Sequence, residues 1–177
     1  MGFLTVADIK RQLNMTGATD DSELSVYAAA ASEIVEQWCG PMTLQTIIGE
    51  LVYGTGSGFV LRNVPVITFT GITYSGPISS VASPLPTDFT FDGVSGIVSR
   101  IDGSRVDGPY RVSYTAGYAI PPPWAMLAAK MIAQHLWETR RGVSRRPTLE
   151  ASTGFGYAIP NQATALMAPH RRVRMSI

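Results

Sequence analysis

Two histidines, one cysteine and thirteen side-chain carboxylates are the groups in this 177-residue chain best suited to acid–base or metal chemistry. His135, His170 and Cys39 cannot by themselves assemble a zinc site of ordinary ligand count. Cys39 falls where a helix should end, and the negative end of a helix disfavours a thiolate. Ser57 lacks the flanking pattern of a nucleophile elbow, and nothing in the sequence places His135 beside it. A small hydrolase therefore has no positive support. Gly54, Gly56 and Gly58 suggest a phosphate loop, but such a loop needs a helix N-terminus behind it. The strand-like Phe59-Val60-Leu61 follows instead, with no Lys-Ser/Thr pair, so a hairpin turn is expected. Asp92-Gly93, Asp102-Gly103 and Asp107-Gly108 lack the alternating carboxylates and terminal Glu of a calcium loop and read as turns. No catalytic residue, metal site or cofactor is expected.

The arginines are more informative. Residues 1–139 hold seven basic and twelve acidic side chains, whereas residues 140–177 hold seven arginines and one glutamate. An acidic body with a basic tail can pair head to tail with copies of itself, dock on an acidic partner, or touch nucleic acid. The tail has only Phe155 and Tyr157 as aromatics and no zinc-finger or RNA-recognition signature, so specific reading of nucleic acid is not expected. Charged residues are only 15% of the chain, below the quarter or so usual for a soluble domain, which points to surface covered by other protein. One cysteine allows no internal disulfide. Asp8, Lys10 and Arg11 interrupt any N-terminal apolar core, and the longest uncharged stretch, 63–87, is rich in Pro, Gly, Ser and Thr. A soluble protein made in a cytoplasm, with no membrane partner, is the expectation.

The elements that must carry these residues are legible from periodicity. A short helix near 5–14 has Thr5 as N-cap and Asp8 three residues on, with Val6, Ile9 and Leu13 on one face. The strongest helix signal spans 22–39. Leu24, Tyr27, Ala28, Ala31, Ile34, Val35 and Trp38 form its stripe, and Gly40-Pro41 stops it. From 44 to 115 the period shortens, predicting strands near 44–53, 59–62, 66–74, 88–92, 97–101 and 110–115. Tyr110, Val112 and Tyr114 should share one face and Arg111, Ser113 and Thr115 the other, while 66–74 should be covered on both. Ser75–Thr87 reads as a loop. Pro121–Pro123 lead into a helix near 122–141, with Trp124, Leu127, Ala128, Met131, Ile132, His135 and Leu136 at helical spacing. Beyond Gly142 no period persists, predicting an extended arm with one short turn near 161–167. The fold class expected is α+β: a small helical bundle (1–43 and 121–142) with an inserted antiparallel β region (44–120). These make one domain, 1–142, followed by an arm, 143–177.

The order of these features resembles the head–tail connector, or head-completion adaptor, family of tailed bacteriophages. The resemblance lies in Leu4–Leu13, the paired acids Asp20-Asp21, and the helix Leu24–Cys39 with its small-residue run and terminal aromatic. It continues in Tyr114-Thr-Ala-Gly-Tyr118, the prolines, and a helix ending Trp137-Glu-Thr-Arg140. It covers about 3–40 and 109–142. It implies a structural virion protein assembled in the bacterial host cytoplasm, without catalysis or cofactor. It also implies a homo-oligomeric ring, normally of twelve copies, that stacks under the portal in the neck. Such a ring extends the DNA channel, touches passing genomic DNA non-specifically, and offers a surface to the next neck or tail protein. With the charge asymmetry, it makes Arg140, Arg141, Arg145, Arg146, Arg171, Arg172 and Arg174 the expected docking set for the portal or a neighbouring subunit. A tail-completion or tail-terminator ring protein is the nearest alternative, and a DNA-binding module a further one.

Overall fold

The computed structural model describes residues 2–76, 83–140 and 159–171. The chain divides into two units. One is built from both chain ends, Met1–Met42 and Pro121–Ile177, and the other from Thr43–Ile120. The first is helical and the second is all β, so the fold is mixed α+β.

In the helical unit, α1 spans Val6–Leu13 and α2 spans Asp21–Cys39. The N-terminus of α1 carries a reciprocal capping box. The Thr5 side chain accepts from the Asp8 N–H, and the Asp8 carboxylate accepts from the Thr5 N–H. Each satisfies a backbone donor that the first turn would otherwise leave unpaired. The helix ends before the predicted Thr16–Asp20 breaker. Asn14 takes a left-handed conformation (φ 54°) as the cap, which Asn tolerates better than other residues with a Cβ. In α2, Leu24, Ala28, Ala31 and Val35 are buried, as their spacing predicts. Ser32 is also buried: its hydroxyl accepts from the Leu4 N–H and donates to the Ala28 carbonyl, so its polar atom is satisfied.

Helix α3 spans Pro123–Arg140, with proline at its first turn, where no N–H is needed. Its buried face differs from the predicted stripe. Ala125, Ala128, Ala129, Ile132, Ala133 and Trp137 are buried, whereas Leu127 is 42% exposed and Trp124, Met131 and His135 lie half-buried on the flanks. The reason is steric: α2 and α3 pack together, and alanines let two helices approach closely while bulkier side chains splay to the edges. The edge-to-face contact of Tyr27 with Trp137, at 6.2 Å, lies at this packing. Where the sequence predicts a short turn near 161–167 within an extended arm, the structure has a further helix, α4, over Asn161–Met167, followed by a 3-10 turn over Ala168–His170. Helix α4 packs on α3 and α2. The rest of the expected arm, 141–158 and 172–177, lies outside the described residues.

The β unit has six strands at the places the period-2 pattern predicts: β1 Gln45–Tyr53, β2 Gly58–Val60, β3 Val66–Tyr74, β4 Phe89–Phe91, β5 Ile97–Arg100 and β6 Pro109–Ala116. They form two antiparallel three-stranded sheets, ordered β1-β6-β3 and β2-β5-β4. Tyr110, Val112, Tyr114 and Ala116 of the central strand β6 face a core shared with Phe59, Leu61, Phe89 and Val98 of the other sheet and its approaches. Phe59, Phe69 and Phe89 make a triangle with ring centroids 5.7–6.3 Å apart. Strand β3 is not covered on both faces as expected, because Ile67, Thr68, Thr70 and Thr73 are exposed. Its mixed pattern comes from register shifts between Val66 and Thr68 and between Phe69 and Gly71, each of which resets the alternation. The glycine run 54–58 is a tight turn that carries the chain between the sheets. The Thr55 N–H bonds the Gly58 carbonyl at 2.7 Å, and a Cβ on Gly54 would lie 1.7 Å from the Val106 carbonyl oxygen. Of the predicted loop 75–87, residues 77–82 lie outside the described residues.

Candidate interaction surface

Side chains with catalytic potential are dispersed or engaged in structure. His135 is half-buried on the flank of α3, and Ser57 is exposed in the 55–58 turn. Cys39 is buried at the end of α2, with its Sγ 3.7 Å from the Met167 carbonyl oxygen. At Asp92-Gly93 and Asp102-Gly103 the carboxylate holds its own turn, whereas Asp107-Gly108 lies at a bend leading into β6, with the Asp107 carboxylate beside Arg105. Asp92 accepts from the Val94 and Ser95 N–H groups at 3.2 and 3.1 Å, and Asp102 accepts from the Ser104 N–H at 2.9 Å. Hydrogen bonds with the Ser95 side chain and these amides hold the Asp92 carboxyl below the usual carboxylate range, and those from Ser104 do the same for Asp102. Among the described residues no cluster of three or more His, Cys, Asp or Glu is placed to hold a metal ion.

One part-buried polar network in the β unit was not foreseen. The Tyr114 hydroxyl donates to Glu50 Oε2 at 2.5 Å and accepts from the Asn63 backbone and side-chain N–H groups, both at 3.1 Å. Glu50 Oε1 also accepts from the Arg62 N–H at 3.0 Å. Burial, reinforced by the bond to Glu50, raises the pKa of the Tyr114 phenol above its ordinary value. The network fastens loop 61–65 to the β1–β6 pair. It is structural, and each acceptor is matched to a donor.

Two aromatic contacts in the helical unit are more suggestive. The His170 ring stacks on Trp124, with centroids 4.0 Å apart and planes 5° from parallel. The Arg171 guanidinium lies over the Trp38 ring, 5.3 Å from its centroid. Trp124 opens α3 and Trp38 closes α2, so the two rings seat the chain just beyond α4. Between them, Met167 and Ala163 of α4 are fully buried. Of the seven arginines expected to dock a partner, Arg171 is exposed and placed by this contact. Arg140 ends α3, and its side chain is not described; Arg141, Arg145, Arg146, Arg172 and Arg174 lie outside the described residues. Helical periodicity held no signal for the stacks, because Trp124 and Trp38 lie some ninety residues apart and His170-Arg171 follow a proline.

The outer faces of the two sheets carry several exposed apolar side chains. On the first sheet Ile48 is 82% exposed, and Leu51 and Tyr53 are also open. Ile48 is thrust outward where β1 bulges between Ile47 and Glu50. On the second sheet Val60 and Ile97 are exposed opposite each other across β2 and β5. Contiguous exposed apolar residues mark protein contacts more often than solvent-facing surface. No helix among the described residues is long and apolar enough to cross a membrane.

Comparison with known proteins bears on both units. The model of a family described as head completion protein matches residues 2–173. A search of curated proteins returns no match.

Proposed function

The chain belongs to the head completion protein family, a family of structural phage proteins, and from that premise we propose that it is a ring-forming head–tail connector. In this reading about twelve copies stack on the portal, continue its DNA channel and present a surface to the next neck or tail protein. The observation that carries the reading is the extent of the family match, which takes in the helical unit, the β unit and the tail as far as residue 173. The surface chemistry agrees with it. Charge is sparse, and apolar residues exposed on the sheets, such as the facing Val60 and Ile97, offer surface for a protein contact.

A ring contact is heterologous: one face of a copy meets a different face of the next. An acidic body and a basic tail suit that geometry, because the tail of one copy is attracted to the body of another or to an acidic portal surface. Arg171, fixed over Trp38, starts the basic docking set, which continues with Arg172 and Arg174; Arg140, Arg141, Arg145 and Arg146 complete it. The role is positional, with no substrate and no cofactor. Contact with genomic DNA is limited to phosphates passing through the channel.

Light scattering after size exclusion, at physiological salt and with or without portal, tests the reading. The subunit is 19.0 kDa, so a twelve-fold ring would have a mass of roughly 230 kDa. A mass in that range together with capture by the portal supports a connector. A ring that binds tail tube but not portal would instead indicate a tail-completion protein. A monomer with and without portal would overturn the ring.

A further inference from the structure

Helix α4 has far more chain in front of it than its seat requires. Helix α3 has 18 residues and is about 27 Å long, so a return from Arg140 to a helix lying against α3 needs no more than about eight extended residues. Twenty residues, 141–160, intervene, with a reach of about 65–70 Å. Packed helices are ordinarily joined by about two to eight residues.

Helix α4 itself is not self-sufficient. It has seven residues and no side-chain cap, too short to persist without packing. What holds it is the surface of α2 and α3: burial of Ala163 and Met167, the Trp124 ring under His170 and the Trp38 ring under Arg171. Every copy carries an identical surface. The contacts are therefore the same whether α4 docks on its own chain or on another, and reach and local concentration decide between them.

We propose that in the assembled ring α4 of each copy docks across α2 and α3 of the neighbouring copy, so that the aromatic seat is completed by a second copy's residues 161–171. This rests on the ring reading above. Charge draws the tail of one copy to the body of any copy, since residues 140–177 carry seven arginines and one glutamate against a body with twelve acidic and seven basic side chains. The length of the connecting segment and the high local concentration of neighbours in a ring are what favour the exchange. Exchange in one rotational sense ties each subunit to the next without new contacts, which is the usual low-cost route to a swapped assembly.

The test is site-directed cross-linking in the full-length chain. Chains carrying Trp124→Cys and chains carrying His170→Cys, both with Cys39→Ser, are assembled together and treated with a short bismaleimide. The expected result is covalent chain-to-chain pairs in the ring fraction, with the double variant giving a ladder of linked subunits. A ring whose double variant links only within single chains would overturn the exchange and leave the connector reading intact. Absence of a ring by light scattering, with and without portal, would overturn both. These substitutions remove one stacking contact, so a second pair keeps both stacks: native Cys39 with Met167→Cys, oxidised to a disulfide. Linked subunits in the ring support the exchange, and internally closed monomers refute it.

Discussion

Replacing Tyr114 by phenylalanine removes a single oxygen from the middle of the β unit, and its cost can be worked from that oxygen's partners. The ring is fully buried, so packing is unchanged. The hydroxyl is a donor to the Glu50 carboxylate at 2.5 Å and an acceptor for two Asn63 N–H groups at 3.1 Å. A hydrogen bond to a charged group contributes about 1.5–3 kcal/mol, and a partner left unpaired in a part-buried site adds to the loss. We expect Tyr114→Phe to destabilise the β unit by about 2–3 kcal/mol. All three tryptophans, 38, 124 and 137, belong to the helical unit, so their fluorescence is the wrong probe. Native-state amide exchange along β1 and β6 is the right one. A loss of about 2 kcal/mol accelerates exchange there about thirty-fold. Acceleration of less than about threefold would refute the reasoning. The pH dependence supplies a second check. Because the folded pKa of the phenol lies above its ordinary value of 10.0, the neutral form is held by the fold. That stabilisation is complete below the unfolded value and is lost as pH rises from there through the folded value. Tyr114→Phe should make this alkaline slope shallower, leaving the part due to Tyr110, whose phenol burial also raises above its ordinary value.

Four further outcomes are expected. Leu24→Ala, at a fully buried position of α2, should cost about 2–5 kcal/mol in urea unfolding followed by tryptophan fluorescence. Thr5→Ala should cost about 1 kcal/mol and speed amide exchange in the first turn of α1. The hydrogen bond with the Thr5 side chain, helped by the Thr5 N–H, Lys130 and Arg11, holds the Asp8 carboxyl below its ordinary value. The stabilisation it brings is therefore present above the unfolded carboxyl pKa and lost as pH falls through the folded one, and Asp8→Asn should flatten that acid limb of a stability–pH curve. Gly117→Ala should abolish soluble expression of the β unit, since φ is +109° and the new Cβ would lie 2.1 Å from the Thr43 carbonyl oxygen; wild-type yield would show the strain to be absent.

Local order was readable from the residues alone. Period-2 alternation placed all six strands because half-buried strands must segregate apolar side chains to one face, and Asp-Gly and Gly-rich turns punctuated them. Thr5 and Asp8 announced the start of α1 because a capping box is a contact between residues three apart. The order and spacing of motifs over about 3–40 and 109–142 pointed to the family, since motif order survives without coordinates. What the sequence could not settle depends on contacts between distant residues. The buried face of α3 turned out to be its alanine face, which became definite only when α2 and α4 arrived to fill it. The irregular face of β3 followed from register shifts against β6, set by pairing with a strand some forty residues on. The seat of α4 came together from Trp38, Trp124 and His170, three residues with no shared period, because stacking and burial answer to distance in space and periodicity only to distance along the chain.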